Sequence, residues 1–299
     1  MTEASKVSYY PGCTLKTKAQ NLEASALAAL QQLGLGVQEL PRWNCCGALF
    51  SLADDDLIRQ VAPVRNLIRA AQQGSSKLIT ICSQCYNTLA RANLLVREDE
   101  AKRQTLNLFM SEEDDYHGEV QVQHYLAFLR DAVGWEALRR QVKVPLAGLK
   151  VATFYGCSLL RPQAVSIDGP STELFEDFLR ALGATPVSYA AARECCGSYQ
   201  VLAHPDAQLR RASQVLQSAQ QAGAQALVLS CPLCEYNLGL RQGLVRQQHP
   251  ELGAIPSFYF TQLLAVALGL EPELCHFELN GDGAVQLLQE RAYVAAAPA

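Results

Sequence analysis

Eleven cysteines stand among 299 residues, and ten of them fall into two sets with one order: a single Cys, a Cys-Cys-Gly, then a Cys-x-x-Cys. The first set is Cys13, Cys45, Cys46, Cys82 and Cys85; the second is Cys157, Cys195, Cys196, Cys231 and Cys234. Cys275 lies outside both and reads as a small buried hydrophobe, the usual state of a lone cysteine. Thiolates are soft ligands that select zinc, copper(I) or iron–sulfur clusters. A tetrahedral zinc site takes four ligands, which the two Cys-x-x-Cys pairs could supply while leaving the other six cysteines idle. A Cys-x-x-Cys redox dithiol leaves more unused. Adjacent residues such as Cys45 and Cys46 project in divergent directions, which suits bridging two metal atoms better than chelating one. Soft thiolates in this number point to an iron–sulfur cluster, and five exceed the four that an ordinary cubane takes, so an unusual cluster is implied.

The elements that must position these residues repeat with them. VSYYPGCTLK is echoed by VATFYGCSLL, and ALQQLGLGVQELPRWNCCG by FLRALGATPVSYAAARECCG. DDDLIRQVAPVRNLIRAAQQG and PDAQLRRASQVLQSAQQAG follow the two Cys-Cys-Gly motifs, and VQHYLAFLRDAVG matches SFYFTQLLAVALG near the ends of the halves. Such self-similarity marks a tandem duplication, with a seam near Pro145–Leu149 and domains expected at 1–147 and 148–299. Short β-rich runs alternate with helical patterns in each half, the signature of an α/β fold with a mainly parallel sheet flanked by helices. Leu22, Ala26, Ala29, Leu30 and Leu33 recur at helical spacing before Gly34, as Leu174, Phe175, Phe178, Leu179 and Leu182 do before Gly183. Leu78, Ile79 and Ile81, and Leu227, Val228 and Leu229, form apolar runs suited to buried strands. Cys82 and Cys231 then lie at the carboxyl ends of strands, where open α/β sheets place their ligands. Cys85 and Cys234 open helices whose dipoles favour thiolate. Gly47 and Gly197 give the backbone freedom to turn closely around inorganic sulfide. The acidic segment Glu112–Asp115 has no counterpart in the second half and is expected to be a surface loop; the tail AAAPA is expected to fray.

The repeated pattern, FYGCSLLRP and FYFTQLLAVALGL together resemble the cysteine-rich CCG domains of the B subunit of heterodisulfide reductase, over nearly the whole chain. The resemblance implies two pseudo-symmetric CCG-domain repeats and one noncubane [4Fe-4S] cluster per complete motif. One would be held by Cys13, Cys45, Cys46, Cys82 and Cys85, the other by Cys157, Cys195, Cys196, Cys231 and Cys234. It implies reductive cleavage of a disulfide, or the reverse thiol oxidation, in a cleft between the clusters. Ordinary dithiol exchange moves two electrons together, whereas iron–sulfur centres move one, so two clusters would offer each product sulfur an iron. The chain carries neither a ferredoxin-type Cys-x-x-Cys-x-x-Cys-x-x-x-Cys-Pro run nor a GxGxxG fingerprint. Electrons must therefore come from partners, by resemblance the flavin-binding A subunit of such a complex together with its iron–sulfur C subunit. CCG domains also occur in quinone-linked complexes, where the clusters would only relay electrons.

Composition narrows the rest. Lys and Arg number 25 against 29 Asp and Glu, a formal net charge of −4, which argues against a nucleic-acid partner. No apolar run approaches the roughly 20 residues that span a bilayer, and the opening MTEASKVSYYPGC has no apolar signal core, so a cytoplasmic protein is expected. Among the remaining side chains, Arg161 could meet an anionic substrate and His124 could donate a proton. Trp43 is expected to screen a cluster from water, and Tyr9, Tyr10 and Tyr155 to serve packing as readily as chemistry.

Overall fold

The computed structural model describes residues 7–48, 57–167 and 173–294. Each half forms one four-stranded sheet, and every strand pairing in both is parallel. The first half contributes β1 (Val7–Tyr10), β2 (Val37–Glu39), β3 (Lys77–Thr80) and β4 (Gln121–His124) in the order β2-β1-β3-β4. The second contributes β5 (Lys150–Thr153), β6 (Thr185–Val187), β7 (Ala226–Leu229) and β8 (Ser257–Tyr259) in the order β6-β5-β7-β8. The chain leaves β1 toward one edge and β3 toward the other. The crevice outside the β1 and β3 carboxyl ends is therefore the topological switch point, and β5 and β7 repeat it.

The local signals act as their chemistry requires. The helix Gln20–Gln32 ends where Gly34 takes φ +72°, and the Leu35 N–H closes back on the Leu30 carbonyl at 2.9 Å. Leu174–Ala181 ends the same way at Gly183, with Ala184 bonded to Leu179 at 3.0 Å. The helices after the Cys-Cys-Gly motifs are Ile58–Gln72 and Pro205–Gln221, and the acidic start of the first lies outside the described residues. Ile81 falls one residue beyond β3, as the chain turns into the next helix. The acidic segment Glu112–Asp115 is tied down rather than free: Glu113 pairs with Arg65 and Arg69 at 3.4 and 3.5 Å, and Asp114 accepts from Gln72 at 3.0 Å. The tail 295–299 is outside the described residues.

The halves exchange helices. Phe260–Ala267, which follows β8 of the second half, packs on Gln20–Gln32 of the first: Ser25 bonds to Thr261 at 2.7 Å, and Thr261 donates to the Leu22 carbonyl at 3.1 Å. Tyr125–Ala132 of the first half packs reciprocally on Leu174–Ala181. Phe260 sits between them with Tyr125, Phe175 and Phe178 at centroid distances of 5.6–5.9 Å, edge-on contacts of the favoured kind. The two sheets thus share one contiguous core.

Candidate metal centre

The strand ends deliver the cysteines. Cys13 and Cys157 follow β1 and β5 in tight turns, with the Arg161 N–H bonded to the Cys157 carbonyl at 3.0 Å. Cys82 caps the helix Ser83–Glu98, and Cys231 caps the short helix Pro232–Glu235. Cys85 and Cys234 lie in the first turns of those helices. All eleven cysteines are free thiols.

The ten motif sulfurs form one row. Cys13 and Cys45 lie 3.6 Å apart, as do Cys46 and Cys85. Cys45 interacts with Cys46, and Cys85 with Cys82. Across the interface between halves Cys82 meets Cys231, and the row runs on through Cys234, Cys196 and Cys195 to Cys157. The order reads the same from both ends. Its midpoint is clasped by Ser83, whose N–H donates to the Ser230 carbonyl at 3.1 Å while the two hydroxyls bond to each other. Among the described residues no three Cys, His, Asp or Glu side chains close on a single metal-ion point; each sulfur meets the next in line.

Packing thiols this closely decides their protonation. Cys46 is held well below the ordinary thiol value by hydrogen bonds from Cys45 and Cys85, and Cys196 likewise by Cys195 and Cys234. At the midpoint Cys231 is lowered by bonds from Cys234 and Cys82, whereas Cys82 is raised by the same contact with Cys231. Cys13 and Cys157 are pushed up, first by their bonds to Cys45 and Cys195 and then by burial. Ten adjacent thiolates cannot coexist without positive charge to offset their repulsion.

Glycine lets the row close. A Cβ on Gly12, at φ +77°, would lie 2.9 Å from Cys85 Sγ, so a side chain there would displace a sulfur. Gly47 and Gly197 also take positive φ; a Cβ on Gly197 would meet Gln208 at 2.9 Å rather than a sulfur.

The other singled-out residues fall outside the row. His124 is fully buried, with Nε2 2.9 Å from the Ile81 carbonyl and Nδ1 accepting from Leu126 N–H at 3.3 Å. Burial lowers its pKa to about 3. It is a neutral cap of the helix that follows it, and neither ring nitrogen is left to hand a proton to a substrate. Arg161 is exposed, and its carbonyl accepts from Asn87 at 2.7 Å. Trp43 stands edge-on to Tyr10 at 6.1 Å and donates to Glu39 at 3.1 Å, while the Tyr10 hydroxyl donates to the Asn44 carbonyl at 2.8 Å. Tyr9 donates to Glu23 at 3.0 Å and Tyr155 to Glu176 at 2.5 Å, so both hydroxyls are committed to packing. Cys275 is fully buried, and burial pushes its thiol up to about 12.

Residues without a cysteine signature complete the site. Asn237 donates to the Ser198 carbonyl at 2.8 Å and to Cys196 Sγ at 3.5 Å. Asn66 accepts from the Asn44 N–H and donates to the Asn44 carbonyl, each at 3.0 Å, which pins the other Cys-Cys-Gly loop. Gln84 accepts from Ser158 at 2.8 Å, and Asn87 donates to the Ser158 carbonyl at 2.8 Å, locking one half to the other. Nothing in the sequence singled these residues out, since each stands alone among ordinary helix residues.

Two parallel sheets with cysteines converging at both switch points define a duplicated cysteine-rich unit. A family model for the cysteine-rich domain CCG matches residues 7–90 and 151–239, and the chain belongs to that family. It is 32% identical over 88% of its length to a protein of Wolinella succinogenes called "8-methylmenaquinol:fumarate reductase membrane anchor subunit", covering 92% of that protein. It is 29% identical over 95% of its length to the B subunit of the ferredoxin/F(420)H(2)-dependent CoB-CoM heterodisulfide reductase of Methanosarcina acetivorans, covering 96% of that protein. A solved hypothetical protein from Helicobacter pylori shares the fold at TM-score 0.74 and 13% identity; the match covers 93% of this chain and about half (52%) of that one. Among the described residues no helix is long and apolar enough to cross a membrane.

Proposed function

We propose that the chain is the iron–sulfur component, of the B-subunit type, in a heterodisulfide reductase-like complex that cleaves a disulfide reductively or forms one in reverse. In this reading 1–147 and 148–299 are the two CCG domains. Cys13, Cys45, Cys46, Cys82 and Cys85 hold one noncubane [4Fe-4S] cluster, and Cys157, Cys195, Cys196, Cys231 and Cys234 hold the other. The observation that carries the reading is the row of ten sulfurs, each meeting the next, a donor number that suits two polynuclear centres and exceeds the four that one tetrahedral ion takes. When bound, such clusters supply single-electron transfer and an iron for each product sulfur. The chain's own part is placement. Gly12 admits Cys85, Asn237 donates to Cys196, Trp43 and Tyr10 cover the first Cys-Cys-Gly loop, and Arg161, one turn beyond Cys157, offers a cation to an anionic substrate. Electrons arrive from the flavin-binding A subunit through the iron–sulfur C subunit.

A second reading, electron relay without substrate, draws on the name of the Wolinella succinogenes relative. It also draws on the direct meeting of Cys82 with Cys231, which leaves the row without a gap at its midpoint. Anaerobic purification with iron and sulfide quantification, followed by thiol release from a disulfide under a one-electron donor, separates the two. About eight irons per chain with thiol release is the expected result. Iron without thiol release selects relay, and zinc in place of iron overturns both.

A further inference from the structure

Tyr189 ends in an oxygen that the rest of the chain leaves unused. The residue is buried, and among the described residues its hydroxyl has no hydrogen-bond partner and is sealed from solvent. Native proteins rarely leave a buried donor unsatisfied, and each exception points to an absent partner. The neighbours narrow the choice. Glu176 is already engaged: one carboxylate oxygen accepts from Thr153 and the other from Tyr155, each at 2.5 Å. The other neighbour is the second cysteine set. Tyr189 precedes the turn Ala190–Arg193, whose Ala192 carbonyl accepts from the Tyr155 and Gly156 N–H groups at 2.9 and 3.3 Å. Gly156 abuts Cys234, since a Cβ on it would lie 3.7 Å from Cys234 Sγ. Burial pushes the Tyr189 hydroxyl well up, and the charges of Glu176 and then Cys234 push it further.

The first half carries no donor at this place. Ser8 and Ala152, each five residues before the first cysteine of its set, pair with Gln38 and Val187. Two residues beyond those stand Leu40 and Tyr189. Leu40 is buried as well, and its side chain is purely apolar.

We propose that the Tyr189 hydroxyl donates a hydrogen bond to sulfur of the second centre, at or beside Cys234, and makes that centre easier to reduce than an apolar residue would. The inference rests on the cluster assignment proposed above. It adds a residue that tunes the centre without ligating it, and a difference between the two centres that the duplicated cysteines do not carry. A donated hydrogen bond stabilises the more negative, reduced state of the centre over the oxidised one.

Redox titration of the full, cluster-loaded chain, followed by EPR, tests the proposal; the signal that Cys196→Ala removes belongs to the second centre. Tyr189→Phe deletes one oxygen and keeps the ring. It should shift the reduction equilibrium of the second centre about fivefold toward the oxidised form, the worth of one hydrogen bond. At about 59 mV per tenfold for one electron, that is a potential lower by ~40 mV. The first centre should stay where it was. Tyr189→Leu, which copies the first half, should shift the second centre in the same direction and serves if the first variant does not fold. Pulsed EPR in H2O and D2O adds a readout that packing alone does not move: Tyr189→Phe should lose one exchangeable-proton coupling at the second centre. At full iron loading, an unmoved potential or an unchanged proton coupling overturns the role of Tyr189 while the cluster reading stands. Zinc in place of iron in the unaltered chain overturns both.

Discussion

The first and second halves agree at their strand ends and diverge at their margins. β1, β3, β5 and β7 lead their cysteines into mirrored places, and the sulfur order is palindromic. Around that centre the copies have parted. In the first half Lys16 bridges Glu23 and Glu39 at 2.7 Å each, and Trp43 joins them through Glu39. The second half has Leu160 at the place of Lys16, and a cavity of about 430 Å³ stands among Glu173, Glu176, Arg180 and Tyr189. β4 ends on His124 and β8 on Tyr259. The two copies agree where the ten motif thiols are held and differ in the side chains around them.

The strongest way to break the equivalence of the copies is to remove one centre at a time. Cys46→Ala and Cys196→Ala should each lower iron per chain by about half, and Cys196→Ala should also abolish disulfide cleavage. Iron quantification checks this; unchanged iron in either variant defeats the ligand assignment.

A smaller effect separates His124 from Tyr259. The folded pKa of about 3 lies below the ordinary histidine value near 6.5. The unfolded chain therefore binds the extra proton first as pH falls. Stability conferred by the neutral ring is full above about pH 6.5 and is lost progressively toward pH 3, about 2 kcal/mol by pH 5. His124→Asn, which can still cap the helix, should flatten that acid slope in denaturant titrations at pH 5 and pH 7. An identical slope would show that the ring does not set it.

The finest contrast is at the Cys-Cys-Gly loops. Asn237 reaches Cys196 Sγ, whereas Asn66 holds only the backbone of Asn44. Hydrogen bonds to cluster sulfur raise reduction potential. Asn237→Ala should therefore lower the potential of the second centre by ~40 mV, the one-electron equivalent of a hydrogen bond of order 1 kcal/mol. Asn66→Ala should leave the first centre closer to its starting value. Redox titration followed by EPR reads both, and equal shifts would remove the distinction.

What the sequence displayed was what repeats. The cysteine order, the Gly34 and Gly183 stops and the apolar runs of β3 and β7 announced a duplicated parallel α/β unit because each is local and periodic. The exchange of helices was hidden, since Ser25 and Thr261 are an ordinary buried Ser and Thr until the chain brings them together. The clasp of Gln84 and Asn87 was equally silent: both look like helix-surface polar residues, and their partners lie in the other half. His124 looked chemical because histidine titrates near neutrality, and burial cancels that property. Gly12 was visible as a residue before a cysteine, but its use, clearance for Cys85, belongs to three dimensions.

The traded helices carry an evolutionary implication. Each repeat on its own would expose the face that its twin's helix covers, including the contact of Tyr125 from the first half with Phe260 of the second. A forebear with a single copy of the gene segment would thus have worked as a two-fold homodimer, its paired Cys82 equivalents abutting on the axis. Fusing the copies would have freed the two flanks of that axis to diverge, as Gln84 and Asn87 on one side and Leu233 and Tyr236 on the other now do.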